Sequence, residues 1–281
     1  MTDYPAPQLY SPVVSTQWLA DHLGADRLVV VDTTVIPGAL STPGSLSWAS
    51  GADRFAAGQV PGAVFADLLG TFAGPDGGAP FARPSATRFE AATSALGIDN
   101  ATTVIVYDAA DGRWACRLWW LFRTFGYDSV AVLDGGLPSW TAEGRTLGTG
   151  LSVPHPSTFT AHPREHLWVD RAYVDSVVAG LTDAALLGTN VPADGALARP
   201  VRVPGSVEIA AADLVAAGSG EFLGERMLRE RLAPALGRRV VAFGSTGAVT
   251  AALALALIGE HDVALFDGAP YGWMAEAVPA A

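Results

Sequence analysis

Short apolar runs, each closed by a polar or glycine-bearing break, alternate along this chain with longer helical stretches. The runs at 28–31, 104–107, 130–133, 185–187, 240–243 and 263–266 lack in–out alternation. They read as strands covered on both faces, the signature of a parallel sheet. Helices are predicted at 86–95, opened by Ser85 and stopped by Gly97, and at 114–125, 170–179, 225–232 and 249–258. The 114–125 helix is apolar on nearly every face, so it reads as buried. A further short helix opens at Ser15 or Thr16 and ends near Gly24, and 53–57 reads as a helical turn. Val60-Pro61-Gly62 and Val203-Pro204-Gly205 are turns before strands at 63–65 and 207–209. In each, Pro presets φ and Gly supplies a positive φ. The stretches 37–51 and 70–84 read as loops, and 144–163 as an extended linker rich in Ser, Thr, Pro and Gly.

The order of elements occurs twice. Gly126 to Asp134 and Gly259 to Asp267 are both 8 residues, and from those Asp residues to Trp140 and Trp273 is 6 in each case. Matched spacing at several anchors indicates a duplicated domain. The division expected is 1–143, a linker at 144–165, and 166–281. Each half is an α/β domain with a mainly parallel sheet and helices on both faces. Such domains place their chemistry in the loop after the central strand, at the carboxyl ends of the strands. Here those loops follow Tyr107 and Phe243, and neither contains cysteine.

Composition narrows the chemistry. The chain has 281 residues, half of them hydrophobic and 16% charged, as expected of packed globular domains. All 17 basic residues are arginine, which excludes a Schiff-base lysine. The net charge of −11 argues against nucleic acid or an anionic membrane as partner. The single cysteine, Cys116, excludes an internal disulfide and a cysteine metal cluster. No metal or cofactor is expected, since no phosphate-loop, dinucleotide or His-Glu-x-x-His pattern occurs. The polar, proline-rich start shows no secretory pattern and the longest apolar run is too short to span a bilayer, so a cytoplasmic protein is expected.

The run Tyr107-Asp108-Ala109-Ala110-Asp111-Gly112, then Ala115, Arg117-Leu118-Trp119-Trp120, Phe125-Gly126 and Leu133-Asp134-Gly135-Gly136, resembles the tandem rhodanese-type sulfurtransferases, which act on thiosulfate or mercaptopyruvate. The similar stretches are 54–67, 96–140 and 203–273. The resemblance implies two tandem rhodanese-like domains. The first is of the inactive type, with Asp where the active domain carries Cys. The second would supply a Cys-x-x-Gly-x-Thr/Ser loop whose amides and helix start hold a thiolate and then a persulfide. This chain departs from that pattern at the decisive loop, which reads Gly244-Ser245-Thr246-Gly247-Ala248-Val249-Thr250. Aligning on glycine puts Gly244 at the nucleophile; aligning on threonine puts Ser245 there. An expected Asp-x-Arg is replaced by Gly188-Thr189-Asn190, and a histidine before each Pro-Gly turn by Gln59 or Arg202.

The candidate site follows from these residues. Ser245 and Thr246 are the hydroxyl-bearing candidates for catalysis, although no histidine falls where a base is needed. Gly244, Gly247, Ala248 and Val249 offer amides to an anion, Arg199 and Arg202 offer guanidinium groups, and Tyr271 offers a ligand contact. Asp108 and Asp111 read as turn and cap residues, and Trp140 and Trp273 as packing. Three functions stay open. The scaffold is redirected to a small anionic or carbonyl-bearing molecule without a persulfide, in a cleft between the domains. Or it is a non-catalytic binding or regulatory protein. Or it is a sulfurtransferase using Cys116, against which stands the setting of that thiol in an apolar helix.

Overall fold

A computed structural model describes residues 6–38, 47–74, 81–150, 152–189, 203–244 and 246–266. It divides into two compact units: residues 1–39, 47–164 and 218–221, and residues 40–46, 165–217 and 222–281.

In the first unit the elements in chain order are β1 (Val13–Val14), α1 (Thr16–His22), β2 (Leu28–Asp32), β3 (Val35–Pro37), β4 (Trp48–Ser50), α2 (Ala52–Ala57), β5 (Val64–Phe65), α3 (Ala86–Ala95), β6 (Thr103–Tyr107), α4 (Arg113–Thr124), β7 (Val130–Leu133) and α5 (Gly136–Ala142). The main sheet runs β1-β7-β6-β2-β5, with every pair parallel. β6 is buried at all five positions, as a central strand covered on both faces must be. Helix starts follow side-chain chemistry: Ser15 Oγ accepts from Trp18 N–H at 3.1 Å, and Ser85 Oγ from Arg88 N–H at 3.2 Å. The buried character expected of α4 holds at ten of its twelve positions, including Arg117.

The second unit contains β8 (Trp168–Val169), α6 (Arg171–Val178), β9 (Ala185–Gly188), β10 (Val207–Glu208), α7 (Glu225–Leu232), β11 (Val240–Phe243), α8 (Gly247–Leu257) and β12 (Val263–Phe266). Its sheet is β10-β9-β11-β12-β8, again all parallel. Matching β8 to β1, β9 to β2, β10 to β5, β11 to β6 and β12 to β7 reproduces the first order strand for strand. The Val-Pro-Gly turns also match, with φ of +78° at Gly62 and +76° at Gly205.

Five elements differ from the sequence expectation: β1, β3, β4, β8 and α5. β1 and β8, two residues each, are too short to show a pattern. The 37–51 loop contributes β4, which pairs antiparallel with β3. α5 has no counterpart in the sequence expectation. Over 152–164 the expected linker is held by hydrogen bonds. Ser157 N–H donates to Ser94 C=O at 3.0 Å, His162 N–H to Phe125 C=O at 2.8 Å, and Arg164 N–H to Thr124 C=O at 2.7 Å. Phe159 is 3% exposed and packs on Phe89, Phe122 and Tyr127. Burial of one such ring stabilises by about 2 kcal/mol, enough to hold a short segment down.

Candidate functional site

The two loops after the central strands are best read against each other. In the first unit β2 and β6 end together, with Asp32 opposite Tyr107. The chain then gives Thr33, whose N–H donates to Tyr107 C=O at 2.9 Å. In the second unit β9 and β11 end with Gly188 opposite Phe243, and Thr189 N–H donates to Phe243 C=O at 2.9 Å. The hydrogen-bond register therefore makes Thr189 the counterpart of Thr33, Gly188 of Asp32, and Gly244 of Asp108.

Asp108 fills its own loop. The side chain is fully buried. Oδ1 accepts from the N–H groups of Ala110 at 2.8 Å and Gly112 at 3.0 Å, and Oδ2 from those of Trp114 at 2.9 Å and Ala115 at 3.0 Å. Ala109 N–H donates to Thr34 Oγ1 at 3.0 Å. Four amides converging on one carboxylate form an anion cradle, and α4 opens on it. Burial pushes the Asp108 carboxyl upward in pKa, and the Ala115, Ala110 and Gly112 amides oppose that push. Turn chemistry alone understates this residue. The helix N-cap is Gly112, four positions on, yet Asp108 serves helix amides that the N-cap glycine cannot. Asp111 instead faces Arg113, in an exposed ion pair.

Beside Asp108 lies a second buried carboxylate. Asp32 is fully buried, its Oδ1 accepts from Thr34 N–H at 2.8 Å, and its Oδ2 has no hydrogen-bond partner. Arg54 Nη1 stands 4.0 Å from that oxygen. Burial raises the Asp32 pKa, with Thr34, Tyr107 and Arg54 pulling the other way. Burial first, then the Asp32 charge, raises that of Tyr107, whose hydroxyl accepts from Val60 N–H at 3.1 Å.

The second loop is built differently. Five residues, 108–112, separate β6 from α4, whereas three, 244–246, separate β11 from α8. Gly244 has φ +111°, a conformation L side chains rarely adopt. A Cβ there would lie 2.9 Å from the carbonyl carbon and oxygen of Thr189 and 3.1 Å from its nitrogen. At Gly247, a Cβ would lie 2.5 Å from the Thr189 oxygen. Thr189 is fully buried, and its Oγ1 donates to Phe243 C=O at 2.9 Å. Thus the backbone of Thr189 occupies the space that a side chain at 244 or 247 would need. Thr246, the N-cap of α8, makes no side-chain capping bond.

The neighbouring strand is rearranged too. A Cβ on Gly188 would overlap the Glu208 carboxylate, which reaches across from β10. Ser206 Oγ donates to Glu208 Oε1 at 2.7 Å. The first unit carries its carboxylate on the inner strand, at Asp32, with Phe65 opposite; the second carries it one strand outward. Thr189 and Glu208 escape a motif search, but aligning Asp32-Thr33 with Gly188-Thr189 exposes both.

The structure brings Gly244, Thr246, Gly247, Ala248 and Val249 together at the start of α8. Ser245, Arg199, Arg202, Tyr271 and Trp273 lie outside the described residues, as does Asn190. Cys116 is in α4, fully buried and in no disulfide. Among the described residues there is no cluster of three or more His, Cys, Asp or Glu fit for a metal, and no helix is long and apolar enough to cross a membrane.

Residues 15–143 match the family described as Rhodanese-like domain. Human 3-mercaptopyruvate sulfurtransferase is 30% identical over 98% of this chain and 95% of that protein. The chain belongs to the rhodanese-type sulfurtransferase family. Bovine thiosulfate sulfurtransferase is likewise 30% identical, over 96% of this chain and 94% of the relative. The structure of the Escherichia coli 3-mercaptopyruvate sulfotransferase SseA superposes with a TM-score of 0.78 at 25% identity, covering 92% of this chain and 98% of that one. The two units are tandem rhodanese-like domains.

Proposed function

We propose that this family member has left persulfide chemistry and holds a small anionic or carbonyl-bearing molecule at the start of α8. The observation that carries the reading is Gly244: at the counterpart of Asp108 it has φ +111° and the Thr189 backbone where a Cβ would stand. A side chain there would be strained by its φ and pressed against the Thr189 backbone. Amides at 246–249, on a helix start whose N-cap side chain leaves it uncapped, suit a partial or full negative charge. Ser245 and Thr246 supply hydroxyl donors, and Arg199, Arg202 and Tyr271 further contacts.

Thr246→Asp tests the binding half. It gives α8 a built-in carboxylate, as Asp108 does for α4, so it should abolish binding of pyruvate or sulfate measured by calorimetry. It should also stabilise the protein by about 1 kcal/mol, the worth of an N-cap. Undiminished anion binding in that variant contradicts the reading. No binding of either probe to the wild-type chain also contradicts it, and favours a non-catalytic binding protein instead.

A further inference from the structure

The carboxylate at the end of β2 has a setting that packing alone does not explain. Asp32 stands between Tyr107 of β6 and Phe65 of β5 in the sheet register, and its side chain is fully buried. Thr34 N–H meets Oδ1 at 2.8 Å, but Oδ2 has no hydrogen-bond partner. A buried acceptor left in that state costs about 1–3 kcal/mol, and more when it carries charge. Ionised, it needs a donor. Arg54 of α2 is within reach, with Nη1 4.0 Å from Oδ2 and the side chain half-buried. That separation is too long for a hydrogen bond and short enough for a side-chain rotation to close. The charged or titratable groups that face Asp32 are Arg54 from α2 and Tyr107 from β6, while β5 presents Phe65.

Arg54 also holds the chain that follows α2. Its Nη1 donates to Gly58 C=O at 3.0 Å, and Gly58 N–H closes the helix on the carbonyls of Arg54 and Phe55, each at 3.2 Å. Next along the chain, Gln59 N–H donates to Gly148 C=O at 3.1 Å and Gln59 C=O accepts from Gly148 N–H at 2.8 Å. Val60 N–H then ends on the Tyr107 hydroxyl at 3.1 Å. Residues 58–60 are therefore tied at one end to the cation that Asp32 attracts, and at the other to the phenol beside it.

We propose that the proton on Asp32 sets the position of Arg54 and, through it, the hold on residues 58–60. With Asp32 neutral the guanidinium serves Gly58 alone. With Asp32 ionised it closes on Oδ2 and tightens the segment. The device lies within the first unit and does not rest on the reading of α8. Burial holds the Asp32 carboxyl above its ordinary 3.8, so the change falls above that pH. Its sign is diagnostic. Ionising a buried carboxylate lowers stability against global unfolding, while drawing Arg54 inward raises local protection.

The test is a pH titration of the full chain by NMR. It follows the Asp32 carboxyl carbon, the Arg54 Nε–H and the Val60 amide, with exchange protection factors for residues 58–60 on each side of the Asp32 midpoint. The expected result is one shared midpoint, with protection about three-fold higher above it, the scale of a half-exposed ion pair. Asp32→Asn should leave the Arg54 and Val60 signals flat. Arg54→Met keeps the stem without the charge, so Asp32 should titrate at a higher midpoint and protection at 58–60 should not change with pH. Arg54→Lys should restore part of the change. Arg54 and Val60 signals that ignore the Asp32 titration overturn the proposal. So does the same step persisting in Asp32→Asn, or an Arg54→Met protein that keeps the full gain in protection.

Discussion

The loops after Tyr107 and Phe243 sit at equivalent places in two copies of one fold, yet they treat the amide groups of the following helix in opposite ways. The first recruits an anion from its own sequence, and Asp108 gives acceptors to four N–H groups. The second shortens to three residues, takes a positive φ and packs directly on Thr189. The first is an anion cradle with a permanent occupant; the second holds a glycine against the Thr189 backbone.

The largest expected effect comes from emptying the first cradle. Asp108→Ala leaves four donors, two of them buried, without their carboxylate and should cost about 3 kcal/mol in denaturant unfolding. Sulfate or thiosulfate should stabilise the variant more than the wild type, since only the variant has an open cradle at α4. A loss that no anion reverses would remove the equivalence between Asp108 and a bound anion.

Next is the converse experiment on the second loop. Gly244→Ala should destabilise by about 2 kcal/mol, from the positive φ and the Thr189 contact together. Gly244→Cys should be similarly destabilised and should yield no thiocyanate from thiosulfate and cyanide. A stable, active Gly244→Cys protein would show that the loop is an ordinary family site lacking one atom.

A smaller effect separates the units by pH. Burial raises the Asp32 pKa above the ordinary 3.8, so the native state holds this proton to higher pH than the unfolded chain does. Its stabilising contribution is therefore complete below about pH 4 and is lost as pH rises through the folded-state value. Asp32→Asn should unfold later than the wild type at pH 7, by about 1 kcal/mol, with the gap closing on acidification. Constant spacing between the two across that range would contradict it. Gly188, the counterpart, has no such group, and Glu208 stands in the space instead.

The smallest effect is at the thiol. Cys116→Ala should cost about 1 kcal/mol through lost packing and leave every ligand-binding signal unchanged. A larger change in ligand binding than in stability would give Cys116 a functional role.

Much of this architecture was legible in the residues. Uninterrupted apolar runs marked β6, β7, β11 and β12, and Ser85 marked a helix start by its capping chemistry. The equal spacings around Asp134 and Asp267 marked the duplication. What stayed hidden needed space to see. β1 and β8 carry two residues each, too few for a period. Phe159, in a stretch of linker-like composition, is held by rings distant in sequence. At the site, the absence of cysteine from the loop was plain, but the close approach of the Thr189 backbone to Gly244 and Gly247 was not. The role of Asp108 was half visible: a turn-former by type, it becomes an anion only once four amides are seen to point at it.

The most direct test of the central claim is the intact mass of the protein after exposure to thiosulfate or 3-mercaptopyruvate, measured without reductant. The account predicts no gain of sulfur at any residue. A gain equal to one sulfur atom, lost on adding cyanide and absent in Cys116→Ala, would contradict it.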